Sequence, residues 1–323
     1  QPYYADFRTS GHLSFEPNTT FDSTQAINLS SDWGVVFPQK VASFTVGVPG
    51  SGGATQTKSN IDLAAVSAVG PIQVYGKDVS LEGALSSDSS SGTGVLLKAT
   101  GSITTLGNVT TQGSHAVFWT RAGSANSSGD EGELTMNNSS SITTNGGKII
   151  MAGSTDQDSD GLPTGDIYGN AGHTLQLGTG SAAAIALTSG NGDIRMYARG
   201  GASAGVTGAF INNGSETVIN SGTGRADIRF TSSATGDNVF ESWGAFTVSS
   251  NAVSSASVPA IRFQALQTNA SSTWTPIQQQ GTYLHRFLAL GGGDLAVSIT
   301  SARAATYAID VARNFEFYAT SGQ

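Results

Sequence analysis

Cysteine is absent from all 323 residues, which excludes a disulfide framework and any thiolate metal site. Charge is nearly as scarce. Asp, Glu, Lys and Arg make up 12% of the chain, where a soluble domain usually carries about a quarter, and Ser, Thr and Asn fill the polar positions instead. The 15 basic residues are outnumbered by 23 acidic ones, for a net charge of −8. That balance lacks the cationic footprint a phosphate backbone requires, so nucleic acid is not an expected partner. No apolar run approaches the roughly 20 residues that cross a bilayer, and no transmembrane segment is expected. Gln1 has neither an initiator Met nor a basic-then-apolar leader ahead of it and is read as the first residue after processing.

Glycine is abundant, with 42 residues, yet bulky aliphatics recur throughout, so the composition is that of a folding chain and not of a disordered tract. A short unit repeats: Ile72-Gln73-Val74, Val95-Leu96-Leu97, Val117-Phe118-Trp119, Ile149-Ile150-Met151, Ile194-Arg195-Met196, Ile228-Arg229-Phe230, Ile261-Arg262-Phe263 and Phe315-Glu316-Phe317. Its first and third residues are apolar, the period-two spacing that places both on one face of a strand. The steps between units are 23, 22, 32, 45, 34, 33 and 54 residues. Steps near 22 read as one turn of a coil, those in the low thirties as one turn with an insertion, and 45 or 54 as two turns. Weaker strands follow within a turn, as in Leu134-Thr135-Met136 then Ile142-Thr143-Thr144, and Leu175-Gln176-Leu177 then Ile185-Ala186-Leu187, separated by Gly, Asn or Ser bends.

Three short strands per turn, with corners made by residues that tolerate positive φ, predict an all-β chain folded as a right-handed parallel β-helix, a β-solenoid. A β-sandwich is the structural alternative, since its strands recur at similar spacing. Residues 1–60 depart from the repeat. They hold Tyr3, Tyr4, Phe7, Phe15, Phe21, Trp33, Phe37 and Phe44 and are expected to form an aromatic cap or docking segment ahead of a solenoid over 61–323. The Ala-rich stretch 302–311 could be a short helix or further strand.

The phrases Gly192-Asp193-Ile194-Arg195-Met196-Tyr197-Ala198, Gly147-Lys148-Ile149-Ile150-Met151-Ala152-Gly153 and Gly101-Ser102-Ile103-Thr104-Thr105 resemble the repeats of filamentous haemagglutinin-like bacterial exoproteins. The resemblance covers roughly 61–323 and implies a secreted right-handed β-helix that serves as an adhesin or surface filament. The N-terminal segment does not match that family's secretion domain, which leaves the export route open.

The function expected is therefore non-catalytic and extracellular, with self-association into a filament or fibre and surface carbohydrate as a further partner. The rival is a β-helix that binds or cleaves polysaccharide. Such chemistry needs clustered carboxylates in a groove, whereas the strand carboxylates Asp193 and Asp227 each precede an Arg by two residues. Arg195, Arg229 and Arg262 are expected to stack in one column, with those Asp residues relieving their repulsion. One segment has metal-ligand character: Asp156, Asp158 and Asp160 alternate ahead of Gly161, as in the first half of a calcium loop. Ile167 stands where such a loop would carry its bidentate Glu. Two readings stand, a structural calcium site with Asp156, Asp158, Asp160, Leu162 and Asp166 as the candidate ligand positions, or a solvated acidic insertion between turns. Gly201-Ala202-Ser203-Ala204-Gly205 has nucleophile-elbow spacing, but no helical pattern follows it and the match is read as chance. His12, His115, His173 and His285 form no close-spaced ligand pair and are read as bend or surface residues.

Overall fold

The computed structural model describes residues 5–16, 26–29, 35–37, 39–50, 59–105, 107–125, 131–137, 139–169, 172–180, 184–201, 208–214, 216–236, 238–254, 258–272, 275–279, 283–302, 309–311 and 315–320. Within these, the chain visits three sheets in rotation. Ile72–Gly76 lies in the first sheet, Val79–Leu81 in the second and Leu85–Ser87 in the third, and Thr93–Ala99 then returns to the first. Each strand pairs in parallel with its equivalent one turn earlier and one turn later. The sheets hold 12, 10 and 9 strands in that order. This is a parallel β-helix with three strands per turn, and the parallel pairing rules out the sandwich, whose neighbours run antiparallel. Among the described residues no helix is long and apolar enough to cross a membrane.

Register makes the core. In the first sheet Phe44, Ile72, Val95, Ala116, Ile149, Ile194, Ala226 and Ile261 superpose as one inward column. Val46, Val74, Leu97, Phe118, Met151, Met196, Ile228 and Phe263 form the next. The second sheet contributes Ile61, Val79, Ile103, Leu134, Leu175, Phe210, Phe240 and Ile277, and all of these side chains are buried in a single cluster. A coil cannot bury its apolar side chains alone; it does so against the coils above and below.

The corners between the third and first sheets repeat a device. Thr111 Oγ1 donates to Ser114 O, Thr144 Oγ1 to Gly147 O, Ser189 Oγ to Gly192 O and Ser221 Oγ to Gly224 O. Each hydroxyl is buried and closes its own bend. Thr111 and Thr144 also reach the carbonyl oxygens of Thr144 and Ser189 in the following coil. Coils stack so closely here that a Cβ on Gly192 or Gly224 would strike the carbonyl oxygen of Gly147 or Gly192 below. This is why three of these four bends read Thr/Ser-x-x-Gly; the first, Thr111 to Ser114, ends in Ser.

Several expectations are corrected by the register. Val117 and Trp119 pair with Leu96 and Lys98 on the outer face, while Ala116 and Phe118 point into the core. With a side-chain period of two, a one-residue error in phase reverses every side chain. Ile228 and Phe230 are inward, but Ala226 is the residue level with Ile194. The 45-residue step from Ile149 to Ile194 is one turn carrying an insertion, since these residues pair directly. Phe315–Ala319 belongs to the third sheet. The solenoid also begins before residue 61. His12–Phe15 pairs with Ser43–Val46 in the first sheet, and Ile27–Leu29 with Ile61–Leu63 in the second. Phe7, Phe15, Phe37 and Phe44 cluster over this end of the core with ring centroids as close as 5.2 Å. Tyr3, Tyr4, Phe21 and Trp33 lie outside the described residues, as do Ala202 to Gly205 of the elbow-like motif and 303–308 of the Ala-rich stretch, whose end Ile309–Val311 is a strand.

Candidate functional site

The insertion that lengthens the 149–194 turn is a hairpin lying on the outer face of the first sheet. The strand Ile149–Gln157 runs out of the coil and pairs antiparallel with Pro163–Gly165, after which Ile167–Gly169 rejoins the sheet beside Ala198 to Gly200. Its apolar anchor is Leu162, buried with Val117, Trp119, Ala122, Ile150 and Ala152 in a second cluster outside the main core. Trp119 Nε1 donates to Ser154 O at 2.6 Å. The outward apolar residues at 117, 119 and 150 therefore have a reason: the hairpin covers them.

The Asp-rich segment forms this hairpin's tip. Asp158 Oδ1 accepts from the backbone N–H groups of Asp160 and Leu162, and its Oδ2 meets Arg195 Nη2 at 2.9 Å. Burial alone would raise the Asp158 carboxyl; the Leu162 N–H, the Arg195 guanidinium and the Asp160 N–H outweigh it and hold the group below its ordinary range. Asp160 pairs with Lys148 at 3.0 Å and Asp166 with Arg229 at 2.8 Å. Asp156 is exposed, and the Leu162 carbonyl accepts from the Asp158 N–H. The five candidate calcium positions thus share one hairpin, but three of the carboxylates turn to three different cations. Among the described residues no three His, Asp or Glu side chains are grouped as a metal site.

The guanidinium groups clamp the hairpin from below. Arg195 also donates to Pro163 O at 2.8 Å and Arg229 to Thr164 O at 3.2 Å. Arg121, 0% exposed and at a φ of 52°, donates to Asp166 O and Ala125 O. Arg121 and Arg199 both approach the ring of Tyr168, at 5.0 and 4.7 Å, contacts that favour a desolvated cation. The expected Arg column is corrected in its membership. Arg195, Asp227 and Arg262 superpose, and Arg229 stands in the next column beside Tyr197, 4.0 Å from its ring. Tyr197 donates its hydroxyl to Asp227 at 2.7 Å, and Arg262 meets the same carboxylate at 3.4 Å. Burial, then the Asp227 charge and its hydrogen bond, push the Tyr197 hydroxyl up to about 12.

Two recesses open on this face beside the hairpin. One of about 110 Å³ is bordered by Lys148, Arg195, Arg225 and Arg262 together with Asp193 and Asp227. The other, of about 100 Å³, lies farther along the strands among Arg229, Thr231, Gln264, Leu266, Ser298 and Thr300. Elsewhere Glu133 has its carboxyl pushed up to about 7, by burial first and by Glu131 second. Lys98, 4.0 Å over the Trp119 ring, is lowered to about 8 by burial. The histidine reading holds for exposed His12, but His285 is 0% exposed in the core, stacked at 4.9 Å on Phe315. Period two places His285 on the face of Phe287 and Ala289, but the residue type at that position reads as polar.

The fold and this surface define the chain as a parallel β-solenoid with a clamped hairpin and a cation-lined outer face. No family model, curated protein or solved structure matches it.

Proposed function

We propose that this chain is a non-catalytic structural protein of a cell exterior, a filament subunit or adhesin that associates end to end through its solenoid. The observation that supports this reading is the build of the coil at 295–319. Its strands Leu295–Ser301, Ile309–Val311 and Phe315–Ala319 pair on one side only among the described residues. The residues continuing the inner columns are left part-exposed there, Val297 at 38% and Phe317 at 42%. At the other end, His12–Phe15 and Ile27–Leu29 pair on one side only among the described residues, with Leu13 and Phe15 half-buried. Joining one end to the other adds parallel strands at the ordinary spacing and covers both apolar edges, a head-to-tail contact that propagates as a filament. A surface poor in charge opposes such packing little.

Sedimentation and electron microscopy of the purified chain test this. Concentration-dependent linear assembly is expected, and it should be lost in a Val297→Lys, Phe317→Lys variant whose β circular dichroism is unchanged. A parent chain that stays monomeric at high concentration ends the proposal.

A further inference from the structure

We infer that the two recesses on the outer face of the first sheet form one binding groove for a linear acidic saccharide, with Arg225 receiving a carboxylate. Four cationic side chains border the first recess, and three of them already have partners. Lys148 and Arg195 are held by Asp160 and Asp158 of the hairpin, and Arg262 by Asp227. Asp227 is further occupied by the Tyr197 hydroxyl, and Asp193 Oδ1 accepts from the Arg225 backbone N–H. The Arg225 guanidinium makes no hydrogen bond or ion pair with another described residue, although it is half-buried at the recess. The acidic groups of the recess are thus largely satisfied, while one planar fork of donors is free. A carboxylate matches that fork in a bidentate pair.

The second recess decides the rest of the ligand. It continues along the strand Ile261–Gln267, where alternate outward residues Arg262, Gln264 and Leu266 follow one another, about 6.6 Å apart. Thr231, Ser298, Thr300 and the Gln264 amide offer donors and acceptors, with part-exposed Leu266 as an apolar floor. Hydroxyls flanking an apolar patch suit a sugar ring, whose edge is polar and whose face is not. An inorganic anion would use the first recess alone, whereas a chain with a carboxylate on one ring and hydroxyls on the next would use both. The groove needs no second copy of the chain, so it stands apart from end-to-end association.

Calorimetry with trigalacturonic acid, its methyl ester, monomeric galacturonic acid and inorganic phosphate tests the inference. The trimer should bind more tightly than the monomer, and the ester should not bind. Arg225→Gln should weaken the trimer by about tenfold to a hundredfold, Gln264→Ala should weaken the trimer but not the monomer, and Arg286→Gln, on the third sheet, should change neither. Thermal melting of each variant alongside the parent shows that the fold is intact, and the ester arm tests the carboxylate on the parent chain. Phosphate binding as tightly as the trimer would reduce the groove to a plain anion site and overturn the saccharide assignment. Absence of trimer binding, or an unaffected Arg225→Gln variant, overturns the inference altogether.

Discussion

The coils at 72–111 and those at 210–289 are built on the same three sheets, yet they enclose different interiors. The early coils are filled by Ile72, Val74, Val79, Leu81, Leu85, Val95 and Leu97, and their third-sheet strands are three residues long, as in Leu85–Ser87. The later coils are filled by Phe210, Phe230, Phe240, Phe246, Phe263 and Phe287, with centroids as close as 4.6 Å, and the third-sheet strand has grown to Ala245–Ser250. A longer perimeter encloses more volume, and an interior packed at crystal-like density must fill it with larger side chains. The later coils also bury a polar column of Asn212, Ser242 and Gln279. Asn212 Nδ2 donates to Ser242 Oγ at 2.9 Å, and its Oδ1 accepts from Thr217 at 2.8 Å. Side-chain volume, more than strand sequence, distinguishes the two halves.

Exchanging side chains across that boundary gives the largest effects. Phe240→Ala should cost about 3–5 kcal/mol through the cavity it leaves. Ile103→Phe, which superposes on the same column in a narrow coil, should cost about 1–3 kcal/mol by overpacking. Urea unfolding measures both, and a neutral Ile103→Phe would mean that the early coils are not narrow.

The aromatic half should also be the acid-sensitive one. Burial lowers His285 to about 4 from 6.5. Because the folded chain resists taking up this proton, its contribution is fully present above pH 6.5 and is lost as pH falls towards 4, by about 3 kcal/mol at most. His285→Leu should flatten that part of the stability curve. If parent and variant lose stability in parallel between pH 6.5 and 4, the imidazole is not the cause.

The smallest effect concerns the hairpin that divides the halves. With its carboxylates engaged by Lys148, Arg195 and Arg229, calcium added to chelator-stripped protein should leave the melting temperature unchanged, whereas Arg195→Ala should expose the hairpin tip to protease. A calcium-dependent rise in melting temperature would show that the ion displaces these pairs.

Much of this fold is legible in the sequence wherever bulky and polar residues alternate. Ile72 with Val74, Val95 with Leu97, and Ile194 with Met196 fall on inward columns as their spacing predicts. The reading slips at Ala116-Val117-Phe118-Trp119, where all four residues are apolar. Period two has no phase there until the hairpin is seen to cover one face. Ile228 is offset for a related reason: the residue level with Ile194 is Ala226, too small to announce a core position. At the outer surface, an alternating Asp pattern has the same appearance whether its carboxylates converge on an ion or spread to separate arginines. Only the pairing of residues 37 and 63 apart, Asp158 with Arg195 and Asp166 with Arg229, separates the two.

The hairpin has a further consequence for how such a chain reaches its native state. Corners closed by a buried Thr or Ser hydroxyl are nearly interchangeable, so a growing stack could skip a coil or seat one a level too high while still satisfying its hydroxyls. Among the described residues the hairpin occurs once, and its Asp158, Asp160 and Asp166 must find Arg195, Lys148 and Arg229 in three successive coils. A stack missing a level would leave those charges facing the wrong neighbours. The insertion thus works as an indexing mark among coils whose corners are alike.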